Sequence, residues 1–399
     1  MRLLIADKFP ERYLTEFRSL GLMVDYVPDA TAESLAGAAR QANVLVVRST
    51  KVTRATIDAA RDLALIIRAG AGYDTIDVQA ASDRGIYVTN CPGKNSVAVA
   101  ELTMGLLLAV DRRIVDNTTE LRAGTWNKKE YSKGEGLKGK TIGVAGLGPI
   151  GCAVARRALA FEMRVLGWSR SLTDERAEQL GIDRAGTLDE LAGQSDVVSV
   201  HMPLTKETRK IFGEAFFARL KKGAIFLNTS RGGLVDQPAL IRAMGERGLR
   251  AGLDVYDPEP AEAACSFGDP IFEQAGFVGT HHIGASTEQA QNAIAAEAVR
   301  ICGEFVATGQ VPNVVNVEKH ATTTFPLIVR HFDKVGVLAN VLGVIRNHGV
   351  NVEEMSNTIF EGAKTAVAVL RLAVPAAPAL VEEIAGLTDQ VIHVEAKGP

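Results

Sequence analysis

Little in this 399-residue chain points to a metal, a membrane or a polyanion. Cysteine is scarce: Cys91, Cys152, Cys265 and Cys302 are scattered without the paired spacing of a metal site, so no metal centre is expected and the thiols read as reduced, as in the cytoplasm. No apolar run reaches bilayer length; the richest, residues 102–110, sits inside a helical pattern, and no membrane association is expected. The opening Met1-Arg2-Leu3-Leu4-Ile5-Ala6-Asp7 reads as a first strand and not as a signal peptide. A formal net charge of −3 leaves no basic footprint for nucleic acid or an anionic membrane surface. What is left is an ordinary globular composition, at a length that calls for two or three domains.

The most informative stretch is Val144-Ala145-Gly146-Leu147-Gly148-Pro149-Ile150-Gly151. An apolar strand over 141–145 runs into glycines that open a helix over 149–160. Gly146 permits the tight turn, Gly148 lets backbone approach a pyrophosphate, and Gly151 lets helix and strand pack closely, while free N–H groups at the helix end face the anion. Pro149 suits the first helical turn, where its missing donor costs nothing. A bare G-x-G-x-x-G also describes an ordinary glycine turn; its place between strand and helix favours dinucleotide binding.

Around this stretch the chain alternates. Residues 1–95 carry apolar runs at 3–6, 23–26, 44–47, 65–68 and 87–89 separated by amphipathic segments, a β-α-β order that implies a parallel sheet. One long helical run over 95–121, apolar around most of its girth, is expected to be buried between domains or subunits. From 141 to 284 strands at 164–168, 197–201, 224–228, 250–255 and 277–279 build a doubly wound sheet, whose ligands gather outside the carboxyl ends of its strands. A helix over 285–309 and an extended 311–316 follow, then a threonine-rich linker at 318–324. Residues 325–399 run β-α-β-β-α-β, the ferredoxin-like α+β order.

Three polar clusters follow strands of the doubly wound sheet. Asn228-Thr229-Ser230-Arg231-Gly232-Gly233-Leu234-Val235-Asp236 puts Arg231 where a guanidinium can hold a carboxylate with two hydrogen bonds, although capping the next helix would also explain it. Asp257-Pro258-Glu259-Pro260 presents a carboxylate between two prolines, a pattern also common in exposed loops. His281-His282-Ile283-Gly284-Ala285-Ser286-Thr287 offers a histidine, more often structural than catalytic when alone. An arginine, an acid and a histidine at strand ends of one nucleotide-binding sheet make an active site the better reading.

Together these clusters and the fingerprint resemble the D-isomer-specific 2-hydroxyacid dehydrogenase family, from about residue 40 through 317, with Val47-Arg48-Ser49 and Arg68-Ala69-Gly70-Ala71-Gly72-Tyr73-Asp74 in matching places. The resemblance implies an α/β fold in which a Rossmann nucleotide domain (96–284) is inserted in a flavodoxin-like substrate domain (1–95 and 285–317). It implies that His282 is the general acid–base, Glu259 its carboxylate partner and Arg231 the substrate clamp. Histidine suits the task because its intrinsic pKa, about 6.5, lets it give and regain a proton. His282 is chosen over His281 because the family motif sets the histidine directly before Ile-Gly-Ala. NAD is the implied cofactor, held by Gly146, Gly148, Pro149, Ile150, Gly151, Ser169, Arg170, His201, Pro203, Thr205, Thr229, Ser230, Asp254, His282 and Gly284. The substrate is implied to meet Ser49, Asn95, Arg231, His282 and the backbone of Gly70, Ala71 and Gly72. Arg48, Arg68 and Lys51 are candidate phosphate ligands, with solvated charge the better reading for Lys51.

The chain departs from the pattern where an acid is expected about 20 residues past the glycines to bind the ribose: Ser169-Arg170 stands there, so that NADP is accepted or the preference for NAD is weak. Residues 325–399 resemble an ACT domain in Arg330-His331-Phe332-Asp333-Lys334-Val335-Gly336 and Gly349-Val350-Asn351, with His331, Asp333 and Asn351 as candidate effector contacts. Asp333 replaces a common asparagine and Val335 a common proline, and simple subunit pairing is the alternative role. Within the family the resemblance is strongest to members that oxidise 3-phosphoglycerate to 3-phosphohydroxypyruvate at the entry to serine biosynthesis, implying L-serine as effector and a homodimer or homotetramer. A hydroxypyruvate or glyoxylate reductase preferring NADPH, and a nucleotide-sensing corepressor that binds protein partners, are the alternatives.

Overall fold

The computed structural model describes residues 1–260, 264–318 and 324–398. Among the described residues the strands form three sheets. The first is parallel and contains β1 (Arg2–Ile5), β2 (Met23–Tyr26), β3 (Val44–Val47), β4 (Leu65–Arg68) and β5 (Tyr87–Asn90), in the order β2-β1-β3-β4-β5. All four residues of β3 are buried, as expected for a strand covered on both faces. Leu4, Leu45 and Ile66 pack to one side with Leu35 and Ile57. Leu3, Ile5 and Ile67 pack to the other with Phe17 and with Ile294 and Ile301 of the helix Glu288–Thr308. That distant helix thereby completes the core of the N-terminal lobe.

The second sheet, also parallel, contains β6 (Thr141–Ala145), β7 (Arg164–Trp168), β8 (Asp183–Arg184), β9 (Val197–Val200), β10 (Ile225–Asn228), β11 (Arg250–Leu253) and β12 (Phe277–Gly279), in the order β12-β11-β10-β9-β6-β7-β8. The order reverses between β6 and β9. The chain winds outward from β6 through β7 and β8, then crosses back, and a crevice opens at the carboxyl ends of β6 and β9.

The residues Val317–Pro399 form a compact unit of their own. Its sheet is antiparallel: β13 (Phe325–Phe332), β14 (Val352–Ile359), β15 (Thr365–Leu372) and β16 (Val391–Ala396), in the order β14-β15-β13-β16. Alternate residues Ala366, Ala368, Leu370 and Leu372 of β15 are buried, and Val341 and Ile345 of the helix Val337–Asn347 and Leu380 and Ile384 of the helix Pro378–Ala385 join their core. The expected α/β and ferredoxin-like orders are both present.

The single helix expected over 95–121 is in fact two, Ser96–Asp111 and Ile114–Arg122. Asp111-Arg112-Arg113 puts three charged residues where the apolar face would have to continue. Arg113 turns into the left-handed region (φ 50°), and its guanidinium is held by Asp116 at 3.1 Å and Glu130 at 2.6 Å. Burial stops at the break: the second helix has no buried residue. The two-residue β8 was not expected, being too short for any periodic pattern. The later helix starts at Glu288, not 285, because the Thr287 hydroxyl caps it by accepting from the Ala290 N–H at 3.2 Å. The linker expected at 318–324 falls, apart from its end residues, outside the described residues.

Candidate active site

β6 ends at Ala145 and the chain turns through Gly146 at φ 97°. A Cβ on Gly146 would lie 2.3 Å from the His201 carbonyl oxygen, and one on Gly151 would lie 1.9 Å from the Gly146 oxygen. The turn and the strand–helix contact therefore both require bare backbone. Gly148 is instead surrounded by open space, and it stands at the start of the helix Pro149–Ala160 with no side chain capping that helix. Pro149 and Ile150 form the first helical positions. Across the switch point His201 follows β9; its Nε2 meets the Ser199 hydroxyl at 2.7 Å, while Nδ1 is buried without a partner. Burial pushes this imidazole down to about 3, which keeps it neutral. A glycine turn, an uncapped helix start and an orphaned ring nitrogen fit a dinucleotide, with its phosphates at the helix end. Ser169 and Arg170 follow β7, and Arg170 is exposed.

β10, β11 and β12 end side by side, and the three polar clusters follow them. His282 Nδ1 lies 2.7 Å from Glu259 Oε2, and Glu259 Oε1 accepts the Tyr256 N–H at 3.0 Å. Burial pushes the Glu259 carboxyl up, but the hydrogen bond and charge of His282, the Tyr256 N–H and Arg231 bring it below the usual range. Asp254, almost fully buried, clamps the loop that carries the histidine. Its Oδ1 accepts from the Thr280 hydroxyl at 2.6 Å and the Ile283 N–H at 2.8 Å, and its Oδ2 from the Gly284 N–H at 2.9 Å. His282 is thus fixed from both sides, in a left-handed backbone conformation (φ 52°). This clamp was not legible in the sequence, where Asp254 stood out only as a cofactor contact. His281 is exposed.

Arg231 reaches into the other lobe. Its Nε and Nη2 bind the Asp74 carboxylate at 2.9 to 3.2 Å, and its Nη1 donates to the Ser230 carbonyl at 2.7 Å. The loop Gly70-Ala71-Gly72 is shaped around arginines: a Cβ on Gly72 would lie 1.7 Å from Arg231 Nη2, and one on Gly70 would lie 1.4 Å from Arg68 Nη1. Arg68 Nε is buried without a partner. Burial, and then repulsion from Arg231 and Arg48 only partly offset by Asp74, push the Arg68 guanidinium down to about 10. Burial lowers Arg48 too, with Asp7 opposing. Asp7 also shapes this turn, accepting the N–H groups of Arg48 (2.6 Å), Ser49 (3.2 Å) and Thr50 (3.3 Å). Only the fold brings Asp7 there, and sequence reading missed it. Asn95 adds a buried Oδ1 with no partner, and Lys51 is exposed.

Other candidates are engaged locally. The Thr229 hydroxyl is buried against Thr103 at 2.9 Å, and Ser230 Oγ donates to the Val200 carbonyl at 2.7 Å. Thr205 Oγ1 donates to Glu207 at 2.7 Å, in a turn where the Pro203 carbonyl accepts from Thr208. In the C-terminal unit His331 is buried, its Nδ1 2.8 Å from the Phe332 carbonyl and its Nε2 3.0 Å from Asn357 Oδ1. Asn351 donates to Glu353 at 2.8 Å, and the Asp333 N–H donates to the Lys364 carbonyl at 3.0 Å. Asn351 lines a shallow cavity of about 450 Å³ with Leu342, Ile345 and Arg346; neither His331 nor Asp333 lines it.

Residues 104–284 match the model of the D-isomer specific 2-hydroxyacid dehydrogenase NAD binding domain. The D-3-phosphoglycerate dehydrogenase of Methanocaldococcus jannaschii is 39% identical over 362 residues, which cover 89% of this chain and 67% of that protein. The glyoxylate reductase of Thermococcus litoralis is 40% identical over 296 residues, covering 72% of this chain and 87% of that protein. Among solved structures, the NAD+-bound 3-phosphoglycerate dehydrogenase of Entamoeba histolytica superposes with a TM-score of 0.67 at 28% identity, over 79% of this chain and 99% of that one. The chain spans about two thirds of the length of the phosphoglycerate dehydrogenases it matches, or somewhat less. Sheet order, glycine turn, strand-end clusters and these likenesses agree: the chain belongs to the D-isomer specific 2-hydroxyacid dehydrogenase family.

Proposed function

We propose that this chain oxidises D-3-phosphoglycerate to 3-phosphohydroxypyruvate, and reduces it in the reverse direction, at the entry to L-serine biosynthesis in the cytoplasm. The observation that carries the reading is the His282–Glu259 pair, at strand ends neighbouring the one that carries Arg231, with Arg231 reaching a loop crowded with arginine. The five-stranded lobe, completed by the helix Glu288–Thr308, holds the substrate, and the seven-stranded lobe holds the nucleotide at Gly146, Gly148 and Gly151. When bound, the nicotinamide ring supplies hydride exchange at C2 of the substrate. His282 Nε2 takes the proton of the C2 hydroxyl during oxidation and returns it during reduction. Glu259 on Nδ1 fixes the tautomer and balances the imidazolium charge. Arg231 and the N–H groups of Gly70, Ala71 and Gly72 hold the carboxylate, while Arg48 and Arg68 bring positive charge for the phosphate.

Ser169-Arg170 supports a second reading, an NADPH-dependent reductase of hydroxypyruvate or glyoxylate, because the pair lacks the acid that would repel a 2′-phosphate. Initial rates with 3-phosphohydroxypyruvate and with hydroxypyruvate, each with NADH and NADPH, separate the two. The phosphorylated acid is expected to be preferred by roughly tenfold or more in kcat/KM; a preference for hydroxypyruvate with NADPH moves the assignment to the reductase.

The C-terminal unit is read as an ACT-like module that joins subunits and receives L-serine. Its edge strand β14, exposed along nearly its whole length, supports pairing. The engaged ring of His331 calls for L-serine inhibition to be measured in the same assay.

A further inference from the structure

We propose that Asp74 is a positioning residue for this reaction, holding the Arg231 guanidinium in the orientation that receives the substrate carboxylate. The inference rests on the reading of Arg231 as the carboxylate clamp. Asp74 belongs to the loop after β4 and Arg231 to the turn after β10, 157 residues apart, so the contact joins the two lobes.

An arginine side chain has five N–H donors in a planar fork. In Arg231 the Asp74 carboxylate takes Nε–H and one N–H of Nη2, and the Ser230 carbonyl takes one of Nη1. Two donors remain, one on each terminal nitrogen, which is the number a second carboxylate needs for a paired contact. With three donors satisfied by protein oxygens, the side chain gives up its rotational freedom before substrate arrives, and that cost no longer falls on binding.

The loop geometry supports the same assignment. Gly72 has no room for a Cβ, which would meet Arg231 Nη2 at 1.7 Å and Asp74 Oδ1 at 3.0 Å. The guanidinium therefore lies directly on the backbone that the proposed function gives to the substrate carboxylate. Asp74 is also about half exposed, at 48% for its side chain. Arg231 is more covered, at 25%, but with its partner that open to solvent the pair contributes only modestly to folding, and positioning gives the contact a use beyond stability. Burial pushes the Asp74 carboxyl up, but its hydrogen bond to Arg231 and the Arg231 charge bring it below the usual range, so it is ionised at any working pH.

The test compares Asp74→Asn, Asp74→Glu and Arg231→Lys with the unaltered chain in 3-phosphohydroxypyruvate reduction, alongside competitive inhibition by oxamate, NADH binding by fluorescence and thermal stability. Asp74→Asn keeps the size of the side chain and removes its charge. It is expected to leave NADH binding and the melting temperature unchanged, to raise KM and the oxamate inhibition constant, and to lower kcat/KM roughly 10- to 100-fold. Asp74→Glu, which restores the carboxylate, is expected to recover part of that loss. A lower KM in Asp74→Asn would show Asp74 to be a competitor of substrate and overturn the proposal. So would unchanged kinetics, with or without a fall in melting temperature. Arg231→Lys distinguishes the levels: if it retains full kcat/KM, the clamp reading itself fails. If it collapses while Asp74→Asn does not, only the positioning role fails.

Discussion

Two glycine turns serve the cleft, one from each lobe, and their glycines answer to different neighbours. In the nucleotide turn an added Cβ would strike backbone: the His201 carbonyl for Gly146 and the Gly146 carbonyl for Gly151. In the Gly70-Ala71-Gly72 loop it would strike the tips of arginine side chains, Arg68 for Gly70 and Arg231 for Gly72. Backbone in a packed sheet cannot retreat, whereas a guanidinium at the end of four methylene-scale bonds can. The first pair of glycines is therefore a condition for folding the crevice. In the second, Gly72 is a condition for where the positive charge sits, while Gly70 (φ 156°) is required by its own backbone as well.

The strongest test of this difference is Gly151→Ala. The new methyl group must displace the Gly146 carbonyl or the helix Pro149–Ala160. A loss of about 1–3 kcal/mol in stability is expected from such overpacking, together with loss of NADH binding; unchanged chemical denaturation and NADH titration would remove the distinction from the nucleotide side. Gly72→Ala comes next. Its backbone is not in the left-handed region, so alanine fits the chain, and the strain falls on the Arg231 guanidinium and, by less, on the Asp74 carboxylate paired with it. Stability should stay within about 0.5 kcal/mol, while kcat/KM for keto-acid reduction falls roughly 10- to 100-fold. Equal destabilisation by both alanines would mean that the two turns are alike after all.

A smaller effect, on the pH axis, tests the strand ends that carry Glu259 and His282. Glu259 is held below the usual carboxylate range, so it is ionised near neutrality and loses its charge only as pH falls through that lowered value. Glu259→Gln removes the charge that balances the imidazolium. The alkaline limb of the reduction rate profile should then move to lower pH, with NADH binding unchanged. A profile that stays in place would assign Glu259 to loop structure alone.

Much of the architecture was legible because it rests on local patterns. Alternating apolar runs mark parallel strands, and Gly146, Gly148 and Gly151 sit where a strand becomes a helix. The arginine, acid and histidine of the candidate site could be singled out because each directly follows a strand of one sheet. What was not legible depends on partners that only the fold supplies. The break at Arg113 needs Glu130, 17 residues on. The turn at Arg48 needs Asp7, 41 residues back, and Arg231 needs Asp74, 157 residues back. Thr229 illustrates the converse: its hydroxyl is spent on Thr103 of a buried helix, a contact that no strand-end pattern could announce.

The left-handed backbone of His282 has a consequence for which substitutions the loop accepts. Holding a residue other than glycine there costs roughly 1–2 kcal/mol, and asparagine is among the side chains that visit this region routinely. The three Asp254 hydrogen bonds hold the loop through Thr280, Ile283 and Gly284 and use no atom of the His282 side chain. On the proposed reading of His282, a His282→Asn chain would therefore keep the Asp254 clamp and its fold while losing turnover, so this one position separates the loop's structure from its chemistry.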